Sequence, residues 1–263
     1  MTFKSDKGKD FEIKSRVVPI LTCNALTYPH GFSTRLGGVT EGERGTLDLG
    51  AGDGEDVSEN RRRFFASLGT TADRAFSAKQ IHSRKIMTVN SSDLGGYFEC
   101  DGFVTDEAGL LLTVKVADCV PILLEDSKNG VIAAVHSGWR GTAAAIVSEA
   151  VSKMCLLGAE REEIKAVIGP SIHSCCYEVD EPFVCAFRES ENADILLPFI
   201  TPAEKEGKYY ADLQKMNGAL LKNADVGKIY VSPLCTCCER EILFSHRGSG
   251  GKRGLMMAGI VIP

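Results

Sequence analysis

Apolar and polar positions divide this chain into short apolar runs broken by turns, with four stretches that read as helices. The clearest pair of runs is Pro-Ile-Leu-Leu at 121–124 and Val-Ile-Ala-Ala-Val at 131–135, separated by the polar turn 125–130. Runs of this length predict strands, and the turn predicts that they fold back as a hairpin. Further strands are expected at 26–33, 75–81, 85–89, 110–116, 164–168, 229–231, 242–245 and 255–262. Residues 1–16 read as a polar leader or an edge strand, 40–56 as a Gly/Asp/Glu-rich loop, 100–106 as a polar turn and 204–208 as a solvated charged loop.

Asp56 and Glu59 form an N-cap and N3 pair for a helix running through Leu68, with Gly69 closing it. Thr142 is the expected cap of a second helix. There Ala143, Ile146, Val147, Ala150, Val151 and Met154 share one face, Ser148, Glu149, Ser152 and Lys153 the other, and Gly158 ends it. Asp180 and Pro182 begin a third helix. Asp212 opens a fourth, to Asn223, whose apolar face is Leu213, Met216, Leu220 and Leu221. Strands and helices alternate without a regular βαβ rhythm, which predicts an α+β fold of mixed sheets with helices packed outside. No internal repeat or low-complexity linker interrupts the pattern, so 1–263 is expected to form one domain.

Composition narrows the class. A hydrophobic content of 44% and a charged content of 25% suit a globular protein with a sizeable core. The net charge of −5 offers no attraction to nucleic acid or an anionic membrane. No apolar run approaches the ~18 residues of a membrane span, and residues 1–14 are too polar for a signal peptide. The ten cysteines, in a long chain without an export signal, are expected to be reduced thiols in a cytoplasm.

The hairpin also carries the candidate chemistry. Cys119 lies just before its first run and His136 just after its second, so both are expected at the same end of the sheet. His82, in Lys-Gln-Ile-His-Ser at 79–83, is a third candidate. Two imidazoles and a thiolate leave the fourth position of a tetrahedral metal open, the pattern of catalytic rather than structural zinc. Cys119 and His136 alone would also serve a cysteine hydrolase as nucleophile and base. His82 discriminates, because a dyad does not need it. Cys235, Cys237 and Cys238, with Cys175 and Cys176, match no standard four-thiolate knuckle and read as buried free thiols. Arg35 follows a strand into a turn at Gly37 and Gly38, where a planar cation can meet an anion. The Gly/Arg/Lys-rich loop 248–254 could cradle a phosphate through backbone N–H groups.

Seven blocks, in order and across nearly the whole chain, resemble one family. They are Gly-Phe-Ser-Thr-Arg-Leu-Gly-Gly-Val (31–39), Lys-Gln-Ile-His (79–82), Cys-Asp-Gly-Phe-Val-Thr-Asp (100–106) and Ala-Asp-Cys-Val-Pro-Ile-Leu-Leu (117–124). Val-His-Ser-Gly-Trp-Arg-Gly (135–141), Ile-Gly-Pro-Ser-Ile-His-Ser-Cys-Cys-Tyr-Glu-Val (168–179) and the tail 244–259 complete the set. The family is that of the YfiH/laccase-domain proteins, also called polyphenol oxidoreductase laccases. The resemblance implies an α/β/β/α sandwich of mixed sheets, with zinc on His82, Cys119 and His136 and copper as the alternative metal. It implies phosphorolysis of adenosine, inosine, guanosine and methylthioadenosine, and deamination of adenosine by a zinc-bound water. Purine nucleosides and phosphate are then the ligands, with Arg35 and Arg140 as the expected phosphate-holding cations and Arg247 as a third. Editing of peptidoglycan precursors and a non-enzymatic accessory role are the alternatives. The laccase name itself conflicts with a count: a full multicopper set consumes roughly ten imidazoles, and this chain has five histidines, at 30, 82, 136, 173 and 246. It also departs from the family at Leu47-Asp48-Leu49-Gly50, where an asparagine is usual, so any donation by that amide is lost.

Overall fold

In the computed structural model, which describes residues 10–42, 45–50, 52 and 54–263, the hairpin strands sit at the centre of a six-stranded sheet. They are β8 (Val120–Asp126) and β9 (Val131–Ser137), paired in antiparallel register. Neighbours are β10 (Lys165–Ile168), β6 (Gly102–Thr105), β5 (Met87–Thr88) and β14 (Lys228–Val231), in the order β14-β10-β8-β9-β6-β5. A second six-stranded sheet has the order β1-β2-β3-β15-β7-β4, from Phe11–Ser15, Pro19–Cys23, His30–Ser33, Met256–Val261, Leu111–Val116 and Ala75–Phe76. A small third sheet, β11-β13-β12, joins Glu178–Asp180, Lys208–Ala211 and Ile200–Pro202.

The two large sheets pack face to face and each is covered on its outer face. Along β9, Ile132 and Ala134 enter the core between the sheets, where they meet Phe32, Leu112 and Ala258. Val131, Ala133 and Val135 enter the core beneath the helices. Those helices are α2 (Trp139–Ala143), α3 (Ile146–Leu156), α4 (Glu181–Arg188), α5 (Ala193–Leu196) and α6 (Leu213–Asn223). On the far side α1 (Glu55–Ser67) packs Phe64 and Phe65 on Ile20, Leu111 and Met257. The layers are therefore α/β/β/α, as expected. Strands buried on both faces need an apolar residue at nearly every position, which is why the central runs lack alternation.

Several local expectations are corrected. The segment 100–106, read as a polar turn, contains β6, all four residues of which are buried beside β9. Its polar members misled because they are satisfied internally, the Thr105 hydroxyl by the Val89 carbonyl at 2.7 Å. Gly102 fits there because a Cβ would lie 2.7 Å from the Ala134 carbonyl oxygen. Helix α1 begins at Glu55 with Gly54 as N-cap, not Asp56, and Glu59 instead pairs with Arg62 and Arg63. Thr142 does not cap a helix but lies inside α2, its hydroxyl bonded to Ser137 and Asn217. Ala145, with φ +54°, then breaks the chain before α3.

The span 26–33 keeps only β3, with β2 formed upstream, while 75–81 and 85–89 shrink to β4 and β5. Residues 242–245 make turns rather than a strand, the Ile242 and Leu243 N–H groups donating to the Glu239 carbonyl. The edge strand expected in 1–16 is β1; residues 1–9 lie outside the described residues. Asp180 and Asp212 cap their helices as expected, accepting from the Phe183 and Lys215 N–H groups. Among the described residues no helix is long and apolar enough to cross a membrane.

Candidate metal centre and its clefts

Pro121 lies opposite His136 in the β8–β9 register, so Cys119 and His136 meet at one end of the sheet. His82 arrives from the segment after β4, which Gln80 fastens to β7 by bonds of 2.7 and 2.8 Å to the Lys115 N–H and carbonyl. The donor atoms of His82, Cys119 and His136 all lie within 4.8 Å of one another. The two imidazoles meet edge to face, 4.9 Å apart at 86°. His136 is buried, Cys119 half-buried and His82 exposed, so the triad opens to solvent on the His82 side.

Asp101, fully buried at the start of β6, organises both imidazoles. Its Oδ1 accepts from the His82 backbone N–H at 3.0 Å and bonds His136 Nδ1 at 2.9 Å. Its Oδ2 accepts from the Ser83 N–H and hydroxyl at 2.6 and 2.8 Å. These bonds help hold His82 in a left-handed conformation, φ +54°. They also leave His136 Nε2 for the ligand side, the carboxylate–histidine arrangement that orients metal ligands. Asp118, φ +87°, fixes Cys119 from the other side, accepting from the Thr236 hydroxyl and the Arg247 backbone N–H, each at 2.6 Å. Gly138 closes the floor: a Cβ there would lie 3.0 Å from His82 Nδ1 and 3.2 Å from Cys119 Sγ. Two imidazoles and a thiol, braced by a carboxylate and with one side open, fit a divalent metal.

Burial opposes charge on His136, but its bonds to Asp101 and Cys119 outweigh this and raise its pKa to about 9. His82 is pushed down, by burial first and then by His136. Burial opposes charge on Asp101 too, yet its bonds to His136 and Ser83 hold the carboxyl below its usual value. In the metal-free protein His136 therefore keeps a proton that a metal must displace. Metal affinity is expected to rise with pH below about 9, with proton release on binding. Calorimetric titration in buffers of different ionisation enthalpy measures that release, and an affinity independent of pH contradicts the coupling.

Clefts flank the triad. One, of about 150 Å³, is lined by His82, Asp118, Cys119, Trp139, Arg140 and Tyr177. It shares Trp139, Arg140 and Tyr177 with an outer cleft of about 560 Å³ that adds Glu178, Asp180, Lys208 and Arg247. Arg140 stacks on Trp139 at 4.2 Å and Arg247 on Tyr177 at 5.2 Å, and Arg247 Nη1 donates to the Glu178 carbonyl at 2.9 Å. On the other side a cleft of about 260 Å³ brings Lys79, Lys115 and Arg253 to the triad.

Arg35 is elsewhere: it stacks on Phe244 at 4.8 Å and donates to the Arg240 and Gly45 carbonyls at 2.8 and 3.0 Å, lining none of these clefts. Asp48 uses its carboxylate as an acceptor, for the Gly50 and Leu255 N–H groups at 2.9 and 2.8 Å. The cysteines read as buried thiols are mostly not buried. Only Cys235 is; Cys175 and Cys238 are exposed, and Cys176 and Cys237 are intermediate. Asp101, Asp118 and Lys115 escaped sequence reasoning, although both aspartates stand next to a cysteine in quoted blocks. Arg253, whose buried Nε has no hydrogen-bond partner, belongs to the Gly/Arg/Lys-rich loop.

The chain is similar to several known proteins over most of its length. A family model described as multi-copper polyphenol oxidoreductase laccase matches residues 29–263. A purine nucleoside phosphorylase of Deinococcus radiodurans is 38% identical over 248 residues, covering 94% of both chains. The purine nucleoside phosphorylase YlmD of Geobacillus stearothermophilus is 36% identical over 246 residues, covering 87% of this chain and 88% of its own. The crystal structure of YlmD from Geobacillus stearothermophilus is similar at a TM-score of 0.87 with 34% identity, covering 96% of this chain and 98% of that one. The crystal structure of Neisseria meningitidis protein NMB0706 is also similar, at a TM-score of 0.81 with 28% identity, covering 97% of this chain and 99% of its own.

Proposed function

The chain belongs to the multi-copper polyphenol oxidoreductase laccase family, and we propose that it is a zinc-dependent purine nucleoside phosphorylase that also deaminates adenosine. The observation that carries this reading is that the inner cleft, lined by His82 and Cys119 of the triad, shares Trp139, Arg140 and Tyr177 with the outer cleft that holds Arg247. The relatives named as purine nucleoside phosphorylases support the choice of substrate. Adenosine, inosine, guanosine and methylthioadenosine are the substrates proposed.

When bound, zinc supplies Lewis-acid charge at an open coordination position. The chain's own residues do the rest. Phosphorolysis brings a phosphate oxygen to the anomeric carbon as the base departs, so phosphate must be held in line. Arg140 and Arg247 suit this task, since stacking on Trp139 and Tyr177 restricts each planar donor fork before phosphate arrives. Glu178 and Asp180, on the same cleft, offer acceptors for ribose hydroxyls. Burial and the nearby Cys119 push the Tyr177 phenol well above its usual value, so it stays a neutral donor. Deamination needs water rather than phosphate, and the exposed His82 side gives water a route to the triad.

Arg140→Met and Arg247→Met are each expected to weaken phosphate-dependent base release by about 1.5–3 kcal/mol, roughly ten- to hundredfold. Adenosine deamination should fall less. Arg35→Met, away from the clefts, should leave the phosphate dependence unchanged. Inosine phosphorolysis against phosphate concentration, beside adenosine deamination in phosphate-free buffer, reads the difference. Equal losses in the two reactions would assign Arg140 and Arg247 to nucleoside binding instead.

Phenol oxidation is expected to be negligible even in copper-loaded protein. His82 and His136 are the only histidines in the metal-capable groups among the described residues. His30 is committed elsewhere, bonded to the Cys23 N–H at 3.0 Å and the Tyr28 carbonyl at 2.7 Å. Oxygen consumption that scales with copper content would contradict this expectation.

A further inference from the structure

Four cysteines from two loops converge next to Arg247, whose Nη1 reaches the Cys176 carbonyl at 3.5 Å, and the reading above does not use them. Sulfurs of Cys175, Cys176, Cys235 and Cys238 all lie within 4.8 Å of one another. The separations are 3.7 Å for Cys175–Cys176, 3.8 Å for Cys175–Cys235, 3.7 Å for Cys175–Cys238 and 3.5 Å for Cys176–Cys238. We propose that these four thiols hold a second metal ion, a structural zinc in an all-sulfur tetrahedral site.

The spacing discriminates among the uses of four thiols. Zinc–sulfur bonds of about 2.3 Å set tetrahedral edges of about 3.8 Å, close to the separations found. A disulfide would draw two sulfurs to about 2.05 Å and leave the other two behind. A cluster of several irons holds its thiolates outside a cage, farther apart than around a single ion. The chain supplies a fitting local form as well. Cys235-Thr236-Cys237-Cys238 places two of the four ligands at Cys-x-x-Cys spacing. The Cys235 sulfur receives the His173 N–H at 3.4 Å, and the Cys237 and Cys238 N–H groups are also directed at it. Such N–H···S bonds favour the thiolate that a metal requires and orient it.

Both loops are already joined by backbone, the Thr236 N–H donating to the Ser171 carbonyl at 3.0 Å. An ion at the four sulfurs would pin their outer ends, and both ends matter to the first centre. Tyr177 and Glu178, directly after Cys176, form the cleft wall, and Thr236 carries the hydroxyl bonded to Asp118 beside Cys119. The site is thus a positioning device for the catalytic cleft, and its existence does not depend on the reaction proposed above.

The test uses full-length protein purified under reducing conditions without chelator. Wild type should carry two zinc ions per chain. Cys119→Ala, which removes a ligand of the first centre only, should keep one zinc; after cobalt exchange it should still show a sulfur-to-cobalt charge-transfer band. Adding Cys235→Ser or the more exposed Cys238→Ser to that variant should remove both the remaining ion and the band, while Cys185→Ser should not. In zinc-loaded wild type, mass mapping should also find Cys175, Cys176, Cys235 and Cys238 protected from a thiol reagent, along with Cys119, until chelator is added, a reading that needs no variant. The proposal is overturned if folded Cys119→Ala binds no metal and shows no thiolate band. It is equally overturned if the four thiols react freely in zinc-loaded wild type, or if mass analysis finds any two joined as a disulfide.

Discussion

Cys119→Ala is expected to lose the metal ion held with His82 and His136 and to lower phosphorolysis about a thousandfold, equivalent to about 4 kcal/mol of Lewis-acid stabilisation. The fold should survive. Cys119 precedes β8 rather than lying within it, and it is only half-buried, at the rim of the inter-sheet core. His136→Ala is a harsher route to the same end, because it leaves the buried Asp101 carboxylate without its imidazole partner. Metal content by mass spectrometry, thermal unfolding and inosine phosphorolysis, measured on the same preparation, separate loss of the ion from loss of the fold. Full metal content in Cys119→Ala would remove the thiol from the ligand set.

Asp101→Asn should have the next largest effect, although residue 101 is not itself in the donor set. Each carboxylate oxygen accepts from two donors, Oδ1 from the His82 N–H and His136 Nδ1, Oδ2 from the Ser83 N–H and hydroxyl. Whichever way an asparagine amide is turned, its NH₂ faces a pair of donors. Metal affinity should fall about 10- to 100-fold, and stability by about 2–4 kcal/mol from donors left unpaired. The left-handed backbone at His82 then loses its support. Competition against a chromogenic chelator measures the affinity. An unchanged affinity would mean that the histidines are placed without Asp101.

Much of this was legible in the sequence where hydrophobic pattern and turn chemistry agreed. The β8–β9 hairpin, the α6 face and the meeting of Cys119 with His136 follow from apolar runs bracketed by polar turns. What was hidden depended on tertiary satisfaction. The segment 100–106 reads as polar, yet Asp101 and Thr105 are buried because other loops bring them their hydrogen-bond partners. Residues 242–245 have strand composition but are drawn into turns, with the Arg35 N–H on the Ile242 carbonyl. Arg35 beside its glycine turn looked like an anion clamp; two of its donors instead go to the Arg240 and Gly45 carbonyls. The cysteine cluster could not be read from spacing, because two of its members lie about sixty residues from the other two.

Phosphorolysis at the metal triad and its adjoining clefts requires both the ion and phosphate. The direct test follows inosine with purified protein, with and without phosphate, before chelation, after chelation and after zinc is restored. Hypoxanthine and ribose 1-phosphate are expected only when phosphate and metal are both present, with activity returning on zinc addition in wild type but not in Cys119→Ala. Base release that proceeds equally without phosphate, or no turnover of any purine nucleoside by zinc-loaded wild type, would contradict it.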